Sequence, residues 1–127
     1  MISNKIDNNI KANIAVGGVN SGNTRIKYNY IEESNSEGIF VIEGEDKLLI
    51  EDNQILSNAD GIVLVGSKGF IRENNIKANG RAGILTADES TPIIDSNNIE
   101  ENQAAGILIK NPSRPEIRRN EIQKNFF

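Results

Sequence analysis

Acidic side chains are concentrated in one part of this 127-residue sequence, where they could bind a cation. Residues 32–60 contain nine Asp and Glu residues and a single base, Lys47, whereas the whole chain has a net charge of −4. Carboxylate oxygens are the ligands that Ca²⁺ prefers in proteins. The alternative is a solvated outer face, which we favour because Glu32, Glu33 and Glu51 occupy outward positions of the sequence pattern described below. We therefore predict no metal ligand set and no cofactor.

Basic side chains near the C-terminus form a second candidate for chemistry. Lys110, Arg114, Arg118, Arg119 and Lys124 make this stretch locally basic, so it could contact an acidic partner surface. The residues that we predict as possible partner contacts are Arg114, Arg118, Arg119, Glu43, Glu45 and Asp46. The acidic net charge and the presence of only two tyrosines for base stacking argue against nucleic-acid binding.

Several other chemistries are excluded by composition. The chain has no histidine and no cysteine, which removes the commonest general base, the commonest zinc ligand, disulfides and thiolate sites. No apolar run approaches the roughly 18–20 residues that a membrane span requires. The polar start, Met1–Lys5, does not resemble a signal peptide. We therefore expect a cytoplasmic protein without a membrane partner.

The elements that must position these side chains are revealed by an internal repeat. The phrase Ile-x-x-Asn-x-Ile occurs five times and is followed in most copies by Gly-Ile-x-aliphatic. The asparagine column includes a divergent first copy and steps by 21 to 25 residues along the chain; its members are Asn4, Asn29, Asn53, Asn74, Asn97 and Asn120. A fixed period of this length is typical of a solenoid.

The spacing within each repeat predicts strands rather than helices. Apolar residues lie two apart, as in Ile39 and Val41, and no stretch shows helical spacing. We expect the asparagines to adopt the left-handed conformation in tight bends and to hydrogen-bond to one another in a ladder between coils. The glycine that begins each Gly-Ile phrase, replaced once by Asn13, is also expected to need a positive φ. The fold predicted is an all-β parallel β-helix of five to six coils, with isoleucine columns inside.

The full pattern, Ile-x-x-Asn-x-Ile-x-x-Asn-x-x-x-Gly-Ile-x-Val, resembles the repeat of right-handed parallel β-helix proteins. That superfamily includes pectate lyases and other carbohydrate-active enzymes. The sequence is more closely similar to the non-enzymatic β-helix domain of F-box-only and related scaffold proteins, which alternate two repeat endings. Residues 66–74 correspond to the ending with glycines, and residues 90–97 and 113–120 to the ending Ser-x-Pro-x-Ile-x-x-Asn. The F-box itself is not present in the sequence, so the activity of that family does not carry over.

One string is also similar to a catalytic motif of pectate lyases. Residues 114–118 resemble their Arg-x-Pro-x-x-Arg element, in which an arginine is the base. The repeat explains the same string, because Pro115 corresponds to Pro92 and Ile117 belongs to the isoleucine column. We therefore predict no catalytic residue.

The ends and corners of the predicted solenoid suggest where a partner could bind. Residues 1–127 form one domain whose first coil starts at Met1 and whose last coil stops in mid-repeat. We therefore expect part of a longer β-helix or a unit that stacks end to end, with Phe126 and Phe127 as an apolar plug. Most length variation falls at one corner, which includes the glycine-rich turn at 17–22. In solenoids such insertions often mark a binding face, although surface loops also vary without a function.

We predict a non-enzymatic structural or protein-interaction scaffold module, with other proteins as partners. The first alternative is a carbohydrate-active lyase, hydrolase or epimerase, or a carbohydrate-binding protein. The second is a filament-associated or cytoskeletal protein. Paired carboxylates about 5–10 Å apart in a groove would favour the enzyme, and a flat surface would favour the scaffold.

Overall fold

The computed structural model describes residues 1–17 and 23–126, and in these residues it is built from short β-strands joined by tight bends. The strands form three parallel sheets, each with one strand from successive coils. Sheet I contains β1 (Lys5–Asp7), β4 (Tyr30–Glu32), β7 (Gln54–Leu56), β10 (Asn75–Lys77), β13 (Asn98–Glu100) and β16 (Glu121–Gln123). Sheet II contains β2 (Ile14–Gly17), β5 (Glu37–Ile42), β8 (Asp60–Val65), β11 (Ile84–Ala87) and β14 (Ile107–Ile109). Sheet III contains β3 (Arg25–Lys27), β6 (Leu49–Glu51), β9 (Phe70–Arg72), β12 (Ile93–Asp95) and β15 (Glu116–Arg118).

The register places equivalent residues of successive repeats directly above one another. In sheet I, for example, Ile31 pairs with Ile55, which pairs with Ile76 on the next coil. The central residue of each short strand in sheets I and III is an isoleucine, and in the middle coils these side chains are fully buried. Isoleucine suits such a column because its branched side chain packs well on a pleated surface. The predicted parallel β-helix with internal isoleucine columns is confirmed.

The predicted asparagine ladder is present at the corner between sheets III and I. Asn74 is representative, because its Nδ2 donates to Asn97 Oδ1 at 3.0 Å and to Ile50 O at 2.9 Å. Its own Oδ1 accepts from the backbone N and the Nδ2 of Asn53, both at 3.0 Å. Each buried asparagine thus satisfies the backbone groups that a tight bend would otherwise leave without partners.

The left-handed conformation falls one residue earlier than predicted. The asparagines of the ladder are absent from the positive-φ residues; the residues that adopt it are those that precede them, Ser3, Tyr28, Asp52, Glu73, Ser96 and Arg119, with φ of 53–57°. The chain changes direction at the preceding residue, so the asparagine side chain points inward and joins the ladder. The prediction was wrong about the position, because it placed the bend and the ladder on one residue.

Two further ladders stabilise the other corners. Between sheets I and II, the second asparagine of the repeat is stacked in the same way, and Asn79 Nδ2 donates to Asn102 Oδ1 at 2.9 Å. Between sheets II and III, hydroxyl groups replace amides: Ser67 N donates to Ser90 Oγ at 3.0 Å, and Ser90 N to Ser113 Oγ at 3.2 Å. Each of the three corners therefore has a polar stack that faces inward.

A glycine recurs in each repeat just before the strand of sheet II, and the reason is steric rather than conformational. Gly38, Gly61, Gly83 and Gly106 do not have a positive φ, contrary to our expectation, and neither does Asn13. A Cβ on Gly83 would lie 2.7 Å from Gly106 O and 2.8 Å from Ile99 Cγ2. Glycine is required there because successive coils approach too closely for any side chain.

Parts of two predictions lie outside the described residues. These parts are positions 18–22 of the glycine-rich turn, and Phe127 of the expected terminal plug. Phe126 is described and is exposed. Within the described part of the chain there is no apolar helix of membrane-spanning length.

Candidate functional site

The outward side of sheet II is apolar, and we call it the apolar face. Its strands alternate, so that residues between the buried Ile39 and Val41 or Ile62 and Leu64 point outward. Two columns of outward residues result from the register: Ala15, Phe40, Val63, Leu85 and Leu108 in one, and Gly17, Ile42, Val65 and Ala87 in the other.

Solvent exposure varies along the apolar face. Val63 at its centre is only 7% exposed because its neighbours cover it, whereas Ile42 and Leu108 are each 39% exposed. The face forms a groove between two edges that carry charges, with Glu37, Asp60 and Arg81 on one edge and Lys110 on the other. Its apolar floor and charged edges give this surface the composition of a protein contact.

The outward sides of the other two sheets are more polar. The outward residues of sheet I are mainly charged or amide side chains, such as Lys5, Gln54 and Asn98. Sheet III has one partly apolar column, with Leu49, Phe70 and Ile93, beside a column that is charged. Only sheet II, among the described residues, has two neighbouring outward columns without charges in its middle coils.

The charged column of sheet III consists of ion pairs between coils. Glu51 is 6% exposed; its Oε2 lies 2.6 Å from Lys27 Nζ and its Oε1 accepts from Arg72 Nε at 2.5 Å. The hydrogen bond from Lys27, assisted by Arg72, lowers the pKa of Glu51 despite its burial. Glu51 is therefore a buried, paired carboxylate, and our assignment of it to a solvated face was wrong.

A second cluster on the same sheet contains two of the predicted contact residues. Arg119 donates to both oxygens of Asp95, including Nε to Oδ1 at 2.9 Å, and Arg118 Nε donates to Asp95 Oδ2 at 3.1 Å. Ser96 Oγ adds a bond of 2.8 Å to Oδ1. The hydrogen bonds from Arg119 are the main cause that holds the pKa of Asp95 well below its usual range. These arginines thus join the last two described coils.

One acidic group has the spacing of a cation site. Carboxylate oxygens of Glu51, Asp52 and Glu73 all lie within 4.8 Å of one another. Each oxygen of Glu51 is already paired with a cation, however, from Lys27 and from Arg72. A Ca²⁺ ion would have to displace both cations, so this cluster is poorly suited to bind a metal ion.

The comparisons with known proteins agree with this architecture. A family model described as right handed beta helix region matches residues 14–127. The chain belongs to the right-handed β-helix family. Searches of curated proteins and of solved structures found no significant match. Because this β-helix architecture supports different functions in different proteins, function has to be argued from the surface.

The other predicted contact residues of this right-handed β-helix do not converge on one site. Glu43 and Asp46 are exposed and Glu45 is half-buried, in the corner between β5 and β6. Asp46 is 3.5 Å from Lys68. Arg114 is exposed in the equivalent corner between β14 and β15, three coils away and thus roughly 14 Å along the solenoid axis.

The apolar face has a signal in the sequence that we did not predict from. The phrase Gly-Ile-x-aliphatic treats the third position as variable, and in the four full copies that position is Phe40, Val63, Leu85 and Leu108. Outward positions of a half-buried strand are usually polar. Four apolar residues in succession at such a position indicate a surface that is covered by something else.

Two carboxylates of the β-helix are neighbours at the edge of the apolar groove. Glu37 and Asp60 are register partners on adjacent coils. Asp60 is buried, pairs with Arg81 and accepts from Ala82 N at 3.0 Å, whereas Glu37 is half-buried and accepts from Ser36 Oγ at 2.6 Å. Two neighbouring carboxylates at a groove are one feature that would favour an enzyme, although Asp60 is engaged by the protein itself.

Proposed function

We propose that this right-handed β-helix is a non-enzymatic protein-interaction module that binds its partner through the apolar face. The observation that supports this proposal is the pair of outward apolar columns on sheet II, which run from Phe40 to Leu108 without a charged residue in the middle coils. A role in partner binding is also in keeping with the resemblance to the β-helix domain of F-box-only scaffold proteins.

The size of the apolar face supports a binding role. The five strands of sheet II contain three to six residues, rise about 3.3 Å per residue and lie about 4.8 Å apart, so the face covers roughly 350–400 Å². Contiguous apolar patches of this size on soluble proteins are frequently functional. The three inward ladders do not need this face, because they satisfy the corners from inside the solenoid. Apolar outward residues are therefore not required by the fold itself.

Site-specific photocrosslinking tests this proposal. A photoreactive residue at Leu85, on the apolar face, is compared with one at Asn75, an outward and half-buried residue of sheet I in the same coil. In cells that express the protein, we expect a discrete crosslinked protein at position 85 and none at position 75. Its yield should fall when Leu108 is replaced by lysine. Equal crosslinking at the two positions, or none at either, contradicts the proposal.

The neighbouring carboxylates support a second candidate, a carbohydrate-active enzyme. Glu37 is the more accessible of the pair, and Asp60 lies beside it on the next coil. If they are catalytic, a panel of polysaccharides should include one that is cleaved, and Glu37→Gln should abolish that cleavage while thermal unfolding is unchanged. Cleavage that survives Glu37→Gln, or no cleavage of any polysaccharide, removes this candidate.

The remaining expectations on partners and location stay proposals. One feature of the last described coil is relevant to end-to-end stacking: its column residues Ile117 and Ile122 are 41% and 46% exposed. A cytoskeletal filament would use such stacking, and replacing Ile122 with glutamate would disrupt it. The cytoplasmic location can be tested by fractionation of cells that express the protein.

A further inference from the structure

The partner that best fits the apolar face is a second copy of this chain. We propose that two copies pack sheet II against sheet II about a twofold axis that runs parallel to the strands, between β8 and β11. This inference rests on the proposed function, since it names the protein that the face binds. The match of residue types and charges that this symmetry operation produces supports the dimer.

The operation places apolar residues opposite apolar residues, except that Lys110 of one copy faces Ile42 of the other. A twofold axis parallel to the strands keeps the position along each strand and reverses the order of the coils. Because the axis lies between β8 and β11, Val63 of one copy faces Leu85 of the other. Phe40 faces Leu108, so that the largest residue of the face meets one of its most exposed residues.

The same operation also brings opposite charges together at one edge. Lys110 follows β14 in register with Ile42, and therefore comes to lie beside Glu43, which is exposed and directly follows Ile42. At the opposite edge, Asp60 is buried and pairs with Arg81 of its own chain, so this edge adds no ion pair between the copies. Electrostatic complementarity of this kind selects an orientation between surfaces that are otherwise apolar.

The alternative face-to-face arrangement differs because it does not bring Lys110 to Glu43. A twofold axis parallel to the solenoid axis would place each coil opposite its own copy, with the strand direction reversed. Glu37 at the start of β5 would then approach Glu43 just after its end, whereas Arg81 before β11 would approach Asp88 just after it, so that repulsive and attractive pairs both result. The axis parallel to the strands places Glu37 opposite the uncharged Ala105 instead.

The area of the face predicts a weak dimer. In this arrangement four strands of each copy face each other, because β2 has no counterpart across the axis, and they bury roughly 300 Å² per copy, or about 600 Å² in total. Stable interfaces are larger, so we expect weak dimerisation that depends on concentration, with a dissociation constant on the order of 100 micromolar or more.

Sedimentation equilibrium of the full chain over a wide range of protein concentration tests this inference. Leu85→Glu, which places a charge at the centre of the contact, should leave a monomer at every concentration. Lys110→Glu and Glu43→Lys should each weaken dimerisation about three- to tenfold, because each creates two like-charge contacts per dimer. The double variant, Lys110→Glu with Glu43→Lys, should restore it to within about twofold. Lys124→Glu, an exposed charge outside the face, is the matched control.

Each other outcome overturns the inference and has a distinct meaning. A monomer at every concentration excludes the second copy, whereas a crosslink from position 85 to a different protein would leave the proposed function intact. A dimer that resists Leu85→Glu but is lost in Ile122→Glu shows contact through the end of the solenoid. A dimer that is lost in Leu85→Glu but indifferent to both charge reversals rejects the proposed symmetry axis. Circular dichroism of each variant establishes that the β-structure is retained.

Discussion

Replacement of Asn74 by alanine should destabilise the protein far more than replacement of the adjacent Asn75. Asn74 is 2% exposed and makes four side-chain hydrogen bonds, two as donor and two as acceptor. Alanine would leave Ile50 O, Asn53 N and one Asn53 Nδ2 hydrogen without those partners. Each unsatisfied buried group costs about 1–3 kcal/mol, so two to three of them should lower the free energy of unfolding by roughly 3–6 kcal/mol.

Asn75 provides the matched control for this measurement. Its side chain points outward from sheet I, is half-buried, and donates to Gln54 Oε1 at 2.7 Å in an exposed position. Asn75→Ala should therefore change the free energy of unfolding by about 1 kcal/mol or less. Urea unfolding followed by circular dichroism measures both variants, with hydrogen exchange as a second probe because solenoids can unfold in more than one step.

An aspartate at the same position distinguishes the loss of donors from the loss of volume. In Asn74→Asp the carboxyl would face two acceptors, Ile50 O and Asn97 Oδ1, so burial and repulsion should raise its pKa. The neutral acid can donate a hydrogen bond, and the stability of this variant should therefore increase as the pH falls. Equal effects of Asn74→Ala and Asn75→Ala, or an Asn74→Asp variant without this pH dependence, would refute the account of the ladder.

Three further predictions concern packing, charge and metal. Gly83→Ala should lower the free energy of unfolding by about 1–3 kcal/mol, because its Cβ would lie 2.7 Å from Gly106 O. Gly80→Ala is the control: its Cβ would lie 3.6 Å from the nearest atom, so the free energy of unfolding should change by no more than about 0.5 kcal/mol. Urea unfolding of the two variants measures both changes. The lowered pKa of Asp95 implies stabilisation that is complete above its ordinary pKa and is lost as the pH falls through the lowered one. The stability difference between wild type and Asp95→Asn should therefore narrow on acidification, and a difference independent of pH would contradict this. Millimolar Ca²⁺ should change the thermal midpoint by about 1 °C or less because both oxygens of Glu51 are paired, and a larger rise in calorimetry would reveal a cation site.

The architecture was predictable because a parallel solenoid repeats its geometry with its sequence. Every coil meets a neighbour with the same pattern, so one asparagine at a fixed spacing, such as Asn53 above Asn74, implies a contact between coils. The alternation of Ile39 and Val41 similarly implies which side of a strand is buried. These inferences use only the spacing of residues along the chain, and the parallel register between coils keeps that spacing in the fold.

The prediction failed where the outcome depends on how closely two coils approach. Nothing in the order of residues distinguishes a glycine that needs a positive φ from one such as Gly83, which has no room for a Cβ. The burial of Glu51 also depends on Lys27 and Arg72, which lie 24 and 21 residues away in the sequence and become neighbours only after stacking.

The sequence by itself determined the repeat, the strands, the isoleucine columns and the asparagine ladder, since each of these follows from periodic spacing. The tertiary structure decided what the surface can do. It aligned Phe40, Val63, Leu85 and Leu108 into one outward column, and it turned Asp95, Arg118 and Arg119 into an intramolecular cluster. The physical reason is that the side of the sheet on which a residue lies, and the neighbours it meets there, are fixed by the register between coils rather than by the residue itself.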